Sequence, residues 1–306
     1  MDGMVIKLGK TALIQERPKA ILFLAITAIL WSLGGLLIKS IDSNPLAIAG
    51  VRSGISAILI WIATGKPKFN WSFAQIGAAL AYSATVLLFV AANKNTTAAN
   101  AILIQYTAPV YVAFLGAWLL KEKVKLLDGV TIFIVLGGMV LFFADDISME
   151  GILGNVLASI SGLTFAIFTV LMRMQKKGSP IESVLLGNVL TAIIGIPFIF
   201  RDMPDSKGWL FLVILGVVQL GLPYLLYAKA IKHVTALEAS LIPVLEPILN
   251  PVWVFLLLGE IPGKWAFVGG FIVLFSVTGR CLLSLRKAQT SAAIPQDTAA
   301  LGGDAN

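Results

Sequence analysis

Residues 97–122, TAANAILIQYTAPVYVAFLGAWLLKE, and residues 235–260, TALEASLIPVLEPILNPVWVFLLLGE, decide the fold when one is laid over the other. Without a gap they match Thr97 with Thr235, Ala101 with Ala239, Leu103 with Leu241, Pro109 with Pro247 and Glu122 with Glu260, always 138 residues apart. Upstream, Trp71 and Trp209 keep the same offset, while Trp31 with Phe165 and Lys39 with Arg173 stand 134 apart. The chain therefore repeats itself. Each copy of the quoted stretch is also apolar enough, and longer than the about 20 residues needed, to cross a bilayer as a helix.

Working outward, apolar runs bounded by charge, Pro and Gly lie near 20–38, 46–64, 73–93, 97–120, 127–144, 151–172, 182–200, 208–228, 235–258 and 265–285. Hydrophobic residues make up 58% of the 306, and charged residues only 13%, about half the share of a soluble domain. Ten spans of about 20 residues leave no room for a separate soluble catalytic domain. The expected fold is an all-α membrane protein of ten transmembrane helices. Five spans per copy is an odd number, so the second copy enters from the opposite side. Two inverted repeats follow, residues 20–144 and 151–285, an arrangement typical of secondary transporters with a site near the midplane.

The formal charge of +7 serves orientation better than nucleic-acid binding. With both termini cytoplasmic, 17 Lys and Arg fall in inner segments and 5 in outer ones, with Arg52 inside a span, as the positive-inside rule requires. Residues 1–19 read as a cytoplasmic basic segment and the first run as a retained span rather than a signal peptide. Residues 286–306, with no apolar period, read as a disordered cytoplasmic tail. The lone Cys281 and lone His233 offer neither a disulfide nor a metal site. No phosphate loop of the G-x-x-x-x-G-K-[ST] type is present, so neither an enzyme nor a cofactor is expected.

Tyr106-Thr-Ala-Pro109 through Leu119-Leu-Lys-Glu122, and Leu245-Glu-Pro247 through Leu257-Leu-Gly-Glu260, in two five-span halves, resemble EamA-type transporters of the drug/metabolite transporter superfamily. The resemblance implies alternating access and export of amino acids or small organic metabolites from the cell membrane, facilitated or proton-coupled, by a monomer or homodimer. The halves depart from one another where Ala108 stands opposite Glu246 and Lys121 opposite Gly259. A nucleotide-sugar or phosphate-ester antiporter, a lipid flippase and a non-transporting scaffold or receptor remain alternatives.

Two charges fall within spans. Glu246 lies about 14 Å deep and Arg52 about 10 Å from the opposite surface, so their levels differ by about 6 Å across a 30 Å core. An intramembrane ionisable group marks a substrate or proton path by default. Arg52 has two readings that the sequence leaves open: a salt bridge with Glu246, or a fork for a substrate carboxylate. Pro243, Pro247 and Pro251 each strip the carbonyl four residues earlier of its helical donor, and Pro109 does the same to Gln105. Asn250 shares the Glu246 face. Trp31, Tyr82, Gln105, Tyr106, Tyr111, Gln219 and Tyr224 complete the substrate-site candidates, a polar and aromatic set suited to a zwitterion or amphipathic solute. Glu122 and Glu260, at equivalent span ends, are assigned to structure or gating, each pairing with a loop cation such as Lys123 or Lys264 or capping the following helix.

Overall fold

The structure, a computed structural model, describes residues 2–142, 144, 151–249, 253 and 264–293, and among them there are helices and no strand. The first half holds α1 (Asp2–Trp31), α2 (Gly34–Lys39), α3 (Pro45–Thr64), α4 (Phe73–Asn95), α5 (Ala98–Gln105), α6 (Ala108–Leu119) and α7 (Leu126–Phe142). The second holds α8 (Ile152–Met174), α9 (Ile181–Gly195), α10 (Ser206–Ile214), α11 (Leu222–Ala230), α12 (Ala236–Leu241) and α13 (Lys264–Ala293).

Eight segments of the described residues are long and apolar enough to span a membrane, and the 17-residue α7 is a shorter apolar helix. The ninth expected run, 235–258, is described only to 249 and at 253. Two terminal expectations change. Helix begins at Asp2 rather than near Ala20, and α13 runs to Ala293, so residues 286–293 continue a helix instead of opening a disordered tail. Residues 294–306 lie outside the described set.

Local chemistry sets the helix starts. Asn44, Ser72, Thr97, Asp205 and Thr235 each accept a hydrogen bond from a first-turn backbone N–H of the helix they precede, satisfying donors a lipid environment cannot. Thr97 and Thr235, matched at 138 residues, are both N-caps, of α5 and α12. Thr235 forms a full capping box with Glu238.

Packing has the exchange symmetry of the repeat. α3 packs on α9 and α7 on α13, each the same element of the two halves, α6 packs on α12, different parts of the equivalent runs 97–120 and 235–258, and α4 on α8 is mirrored by α11 on α1. At the α3–α9 crossing Gly50 meets Gly195 so closely that a Cβ on Gly195 would stand 2.2 Å from the Leu46 carbonyl oxygen and 2.6 Å from the Gly50 Cα. Only glycine permits that approach.

Several spans are broken, and prolines explain most of the breaks. α5 stops at Gln105, whose carbonyl Pro109 leaves without a donor, and α6 resumes at Ala108 with Pro109 in its first turn. Residues 242–244, around Pro243, form a 3-10 turn at the repeat-equivalent of 104–106. Between α10 and α11 the helix widens to a π-turn over Leu215–Gly221. Pro223 just beyond offers no N–H to the Gln219 carbonyl four residues earlier, and a wider turn is the accommodation seen when the i→i−4 ladder fails.

Candidate functional site

The two repeat-equivalent breaks face one another, and Tyr106 joins them. Its hydroxyl lies 2.9 Å from the Pro243 carbonyl oxygen and 2.5 Å from Glu246 Oε2. The Pro243 carbonyl is the one that Pro247 deprives of a helical donor, so Tyr106 supplies what the proline removes. The phenol has one hydrogen and two acceptors in reach, so one of the two oxygens must find a second donor.

Around this junction lies a small cavity lined by Trp31, Arg52, Gln105, Tyr106, Gln219, Tyr224 and Glu246, and also by Ala108, Phe165 and Ser240. Seven substrate-site candidates scattered over the sequence thus meet in one place. Trp31 and its repeat-equivalent Phe165 touch edge to face at 6.0 Å, and Tyr224 lies 5.1 Å from Trp31. The free space is about 50 Å³, room for a few waters and short of the about 300–1,000 Å³ that encloses an organic solute. A solute of that size is admitted only if the helices move apart.

Arg52 is 2% exposed, yet among the described residues its one hydrogen-bond partner is Gln219: Nη1 donates to Gln219 Oε1 at 3.1 Å, and Nε is buried without an acceptor. No carboxylate lies within ion-pair distance of it among the described residues. The Arg52–Glu246 salt bridge, one of the two readings open in the sequence, is not formed. Glu246, 8% exposed, is engaged by Tyr106 instead. Two opposite charges therefore border one cavity unpaired with each other, an expensive arrangement in a low-dielectric interior.

The remaining candidates distribute differently. Tyr82 is fully buried behind the wall, with its hydroxyl on Asn188 Oδ1 at 3.0 Å and its ring 4.8 Å from Tyr224. Tyr111, two residues past Pro109 and so about half a turn round α6, is 36% exposed and does not line the cavity. Pro109, Pro243 and Pro247 sit in or beside the breaks. Asn250, Pro251 and Glu260 lie outside the described residues.

Glu122 pairs with neither Lys123 nor Lys264 and caps a different helix from the one that follows it. It accepts from Arg173 Nε at 3.0 Å and from the Ala236 N–H at 2.9 Å, at the start of α12. Lys121, at φ 54°, turns the chain sharply enough to aim Glu122 across the halves. Arg173 Nη1 also holds the carbonyls of Ile231 and Lys232. On the same side a second, wider cavity of about 270 Å³ lies between α6, α7, α12 and α13. There Glu238 accepts from Arg17 at 2.5 Å and Ser284 at 2.7 Å, and Arg280 pairs with Asp128 at 2.6 Å. This network had no signal in the sequence, since its members sit on four separate helices, α1, α7, α12 and α13.

Among the described residues no group of three or more His, Cys, Asp or Glu is placed to hold a metal. The profile of the EamA-like transporter family matches residues 18–144 and again residues 152–279. The chain belongs to the EamA-like transporter family. As an EamA-like protein it is a multi-pass membrane protein, and its relatives carry transporter names. An uncharacterized transporter of Archaeoglobus fulgidus is 26% identical over 83% of this chain and 93% of its own length. The uncharacterized transporter YxxF of Bacillus subtilis is 24% identical over 76% and 80%, and human solute carrier family 35 member G1 is 24% identical over 84% and 77%. One crystal structure shares the fold with a TM-score of 0.72 at 18% identity, covering 89% of this chain and 99% of the other.

Proposed function

We propose that this EamA-like chain is a ten-span transporter in the cell membrane, both termini cytoplasmic, which moves small zwitterionic organic solutes outward by alternating access. One observation carries the reading: Arg52 and Glu246 border the same inter-repeat cavity without pairing. A guanidinium that keeps free donors inside a membrane protein is matched by a carboxylate, and a carboxylate across the cavity is matched by an ammonium. Amino acids and their close derivatives carry both groups. The aromatic wall of Trp31, Tyr224 and Phe165 suits an apolar or aliphatic body between them.

The ten-span count rests on the charge asymmetry and on α7 and the 235–258 run serving as spans. The broken helices at 106–107 and 242–244 are where the halves pivot. A phosphate-ester or nucleotide-sugar solute is supported less well, since Arg52 is the single cation lining the cavity among the described residues. Transport in place of catalysis is supported by the relatives' names.

The test is a thermal-stabilisation screen of purified protein against amino acids and small organic acids, amines and neutral solutes, followed by counterflow in proteoliposomes. Zwitterions are expected to stabilise and to exchange, and Arg52→Gln and Glu246→Gln each to weaken them at least about tenfold, the scale of one lost charge-assisted contact. Wild-type rate and pH dependence in Glu246→Gln would remove Glu246 from the site. Solute preference indifferent to both substitutions would end the reading.

A further inference from the structure

In the cavity the oxygen that meets the Arg52 guanidinium is an amide oxygen of the protein itself. Gln219 Oε1 accepts from Arg52 Nη1 at 3.1 Å, and its Nε2 donates to the Trp31 carbonyl at 3.4 Å. That carbonyl lies at the break between α1 and α2, where Ser32 and Leu33 interrupt the first span. Gln219 itself stands on the π-turn Leu215–Gly221, where its span leaves the regular α-helical ladder. The first residue of α2 is Gly34, and a Cβ there would come within 2.7 Å of Gln219 Nε2. One carboxamide is thus seated among three elements by a glycine that leaves it room, and its two ends hold the guanidinium and a helix break.

We infer that Gln219 is an internal competitor for Arg52 that sets the site's threshold for solutes. Its carboxamide oxygen occupies the place an anionic oxygen takes on binding. A neutral solute oxygen exchanges amide for amide and gains nothing, whereas a carboxylate forms a charge-assisted bond about twice as strong and displaces the side chain. Displacement also releases the Trp31 carbonyl, which connects arrival of the anion to the break in the first span. The inference rests on the reading that Arg52 meets the solute's anionic group.

The experiment uses the full-length purified protein, the proteinogenic amino acids and their carboxamides, with thermal stabilisation titrated for affinity. For wild type, carboxylates are expected to stabilise and carboxamides to be silent. Gln219→Met keeps the length and removes the competitor, so carboxylates should tighten about tenfold and carboxamides should become detectable, a gain that structural damage does not produce. Gln219→Glu, isosteric and protective should the Met variant fold poorly, should weaken carboxylates at least about tenfold. That effect should vanish in an Arg52→Gln background. Arg52→Gln losing carboxylates while Gln219→Met changes neither class overturns the competitor role and leaves the Arg52 reading standing. Arg52→Gln that binds carboxylates like wild type, or a panel in which none stabilises wild type, overturns both.

Discussion

Tyr106→Phe keeps the ring that lines the cavity and removes the one hydroxyl joining the two helix breaks. Two acceptors lose a partner, and they lose it unequally. The Pro243 carbonyl is buried with its neighbours and, with Pro247 four residues on, keeps only the Leu245 N–H of the 3-10 turn as a backbone donor, so losing the phenol costs it about 1 kcal/mol, the lower end of the penalty for an unpaired buried acceptor. Glu246 borders the cavity, where water takes the place of the phenol at a cost of about 0–2 kcal/mol. The sum is about 1–3 kcal/mol of stability. Glu246→Gln behaves oppositely: its amide N–H provides the second donor that a single phenol hydrogen cannot, so stability should stay within about 0.5 kcal/mol of wild type. Unfolding in detergent, followed by circular dichroism at one fixed scan rate because membrane proteins often unfold irreversibly, compares the three proteins. A Tyr106→Phe protein as stable as wild type would refute the account of the breaks, and a Glu246→Gln protein that falls with it would refute the donor count.

Two further substitutions test the packing. Gly195→Ala sets a Cβ 2.2 Å from the Leu46 carbonyl oxygen, and since backbone cannot swing aside, a loss of about 3 kcal/mol, the upper end of overpacking, should appear in the same unfolding assay. Lys121→Gly relieves the left-handed strain of a side chain at φ 54°, about 1–2 kcal/mol, less the about 0.5–1 kcal/mol of added chain freedom. A net gain of about 0.5–1 kcal/mol is expected, matching the Gly259 that the second repeat already carries at this position.

What the sequence could tell depended on the kind of signal. Span positions were legible because apolar runs are bounded by charge and turn residues, and the repeat because Pro109 and Pro247 mark breaks that recur at one offset. The meeting of Arg52 with Gln219 was not legible: it depends on the π-turn, and the widening that aims Gln219 inward has no pattern in apolar periodicity. Tyr111 lies outside the cavity, and the sequence alone does not show which face of α6 turns inward. Glu122 was assigned to a nearby lysine or to capping the next helix because sequence favours local partners, whereas packing of the two halves brings Arg173 and the start of α12 to it.

The repeat makes a demand on the carboxylate itself. Symmetry takes Ala108 to Glu246, and Ala108 lines the cavity too, 2% exposed. The scaffold thus has two equivalent places for an acid and fills one. With the acid on one side only, and Arg52 fixed, the zwitterion proposed above would have a single orientation in the cavity. If that asymmetry serves to hold the ammonium, moving it should be tolerated better than deleting it. Glu246→Ala should abolish zwitterion binding, and Ala108→Glu added to it should restore about tenfold, one charge-assisted contact, with a changed solute preference because the acid now stands at a different distance from Arg52. A double variant that binds no better than Glu246→Ala, while remaining as stable, would mean that Glu246 acts through Tyr106 and the helix break rather than by facing the solute.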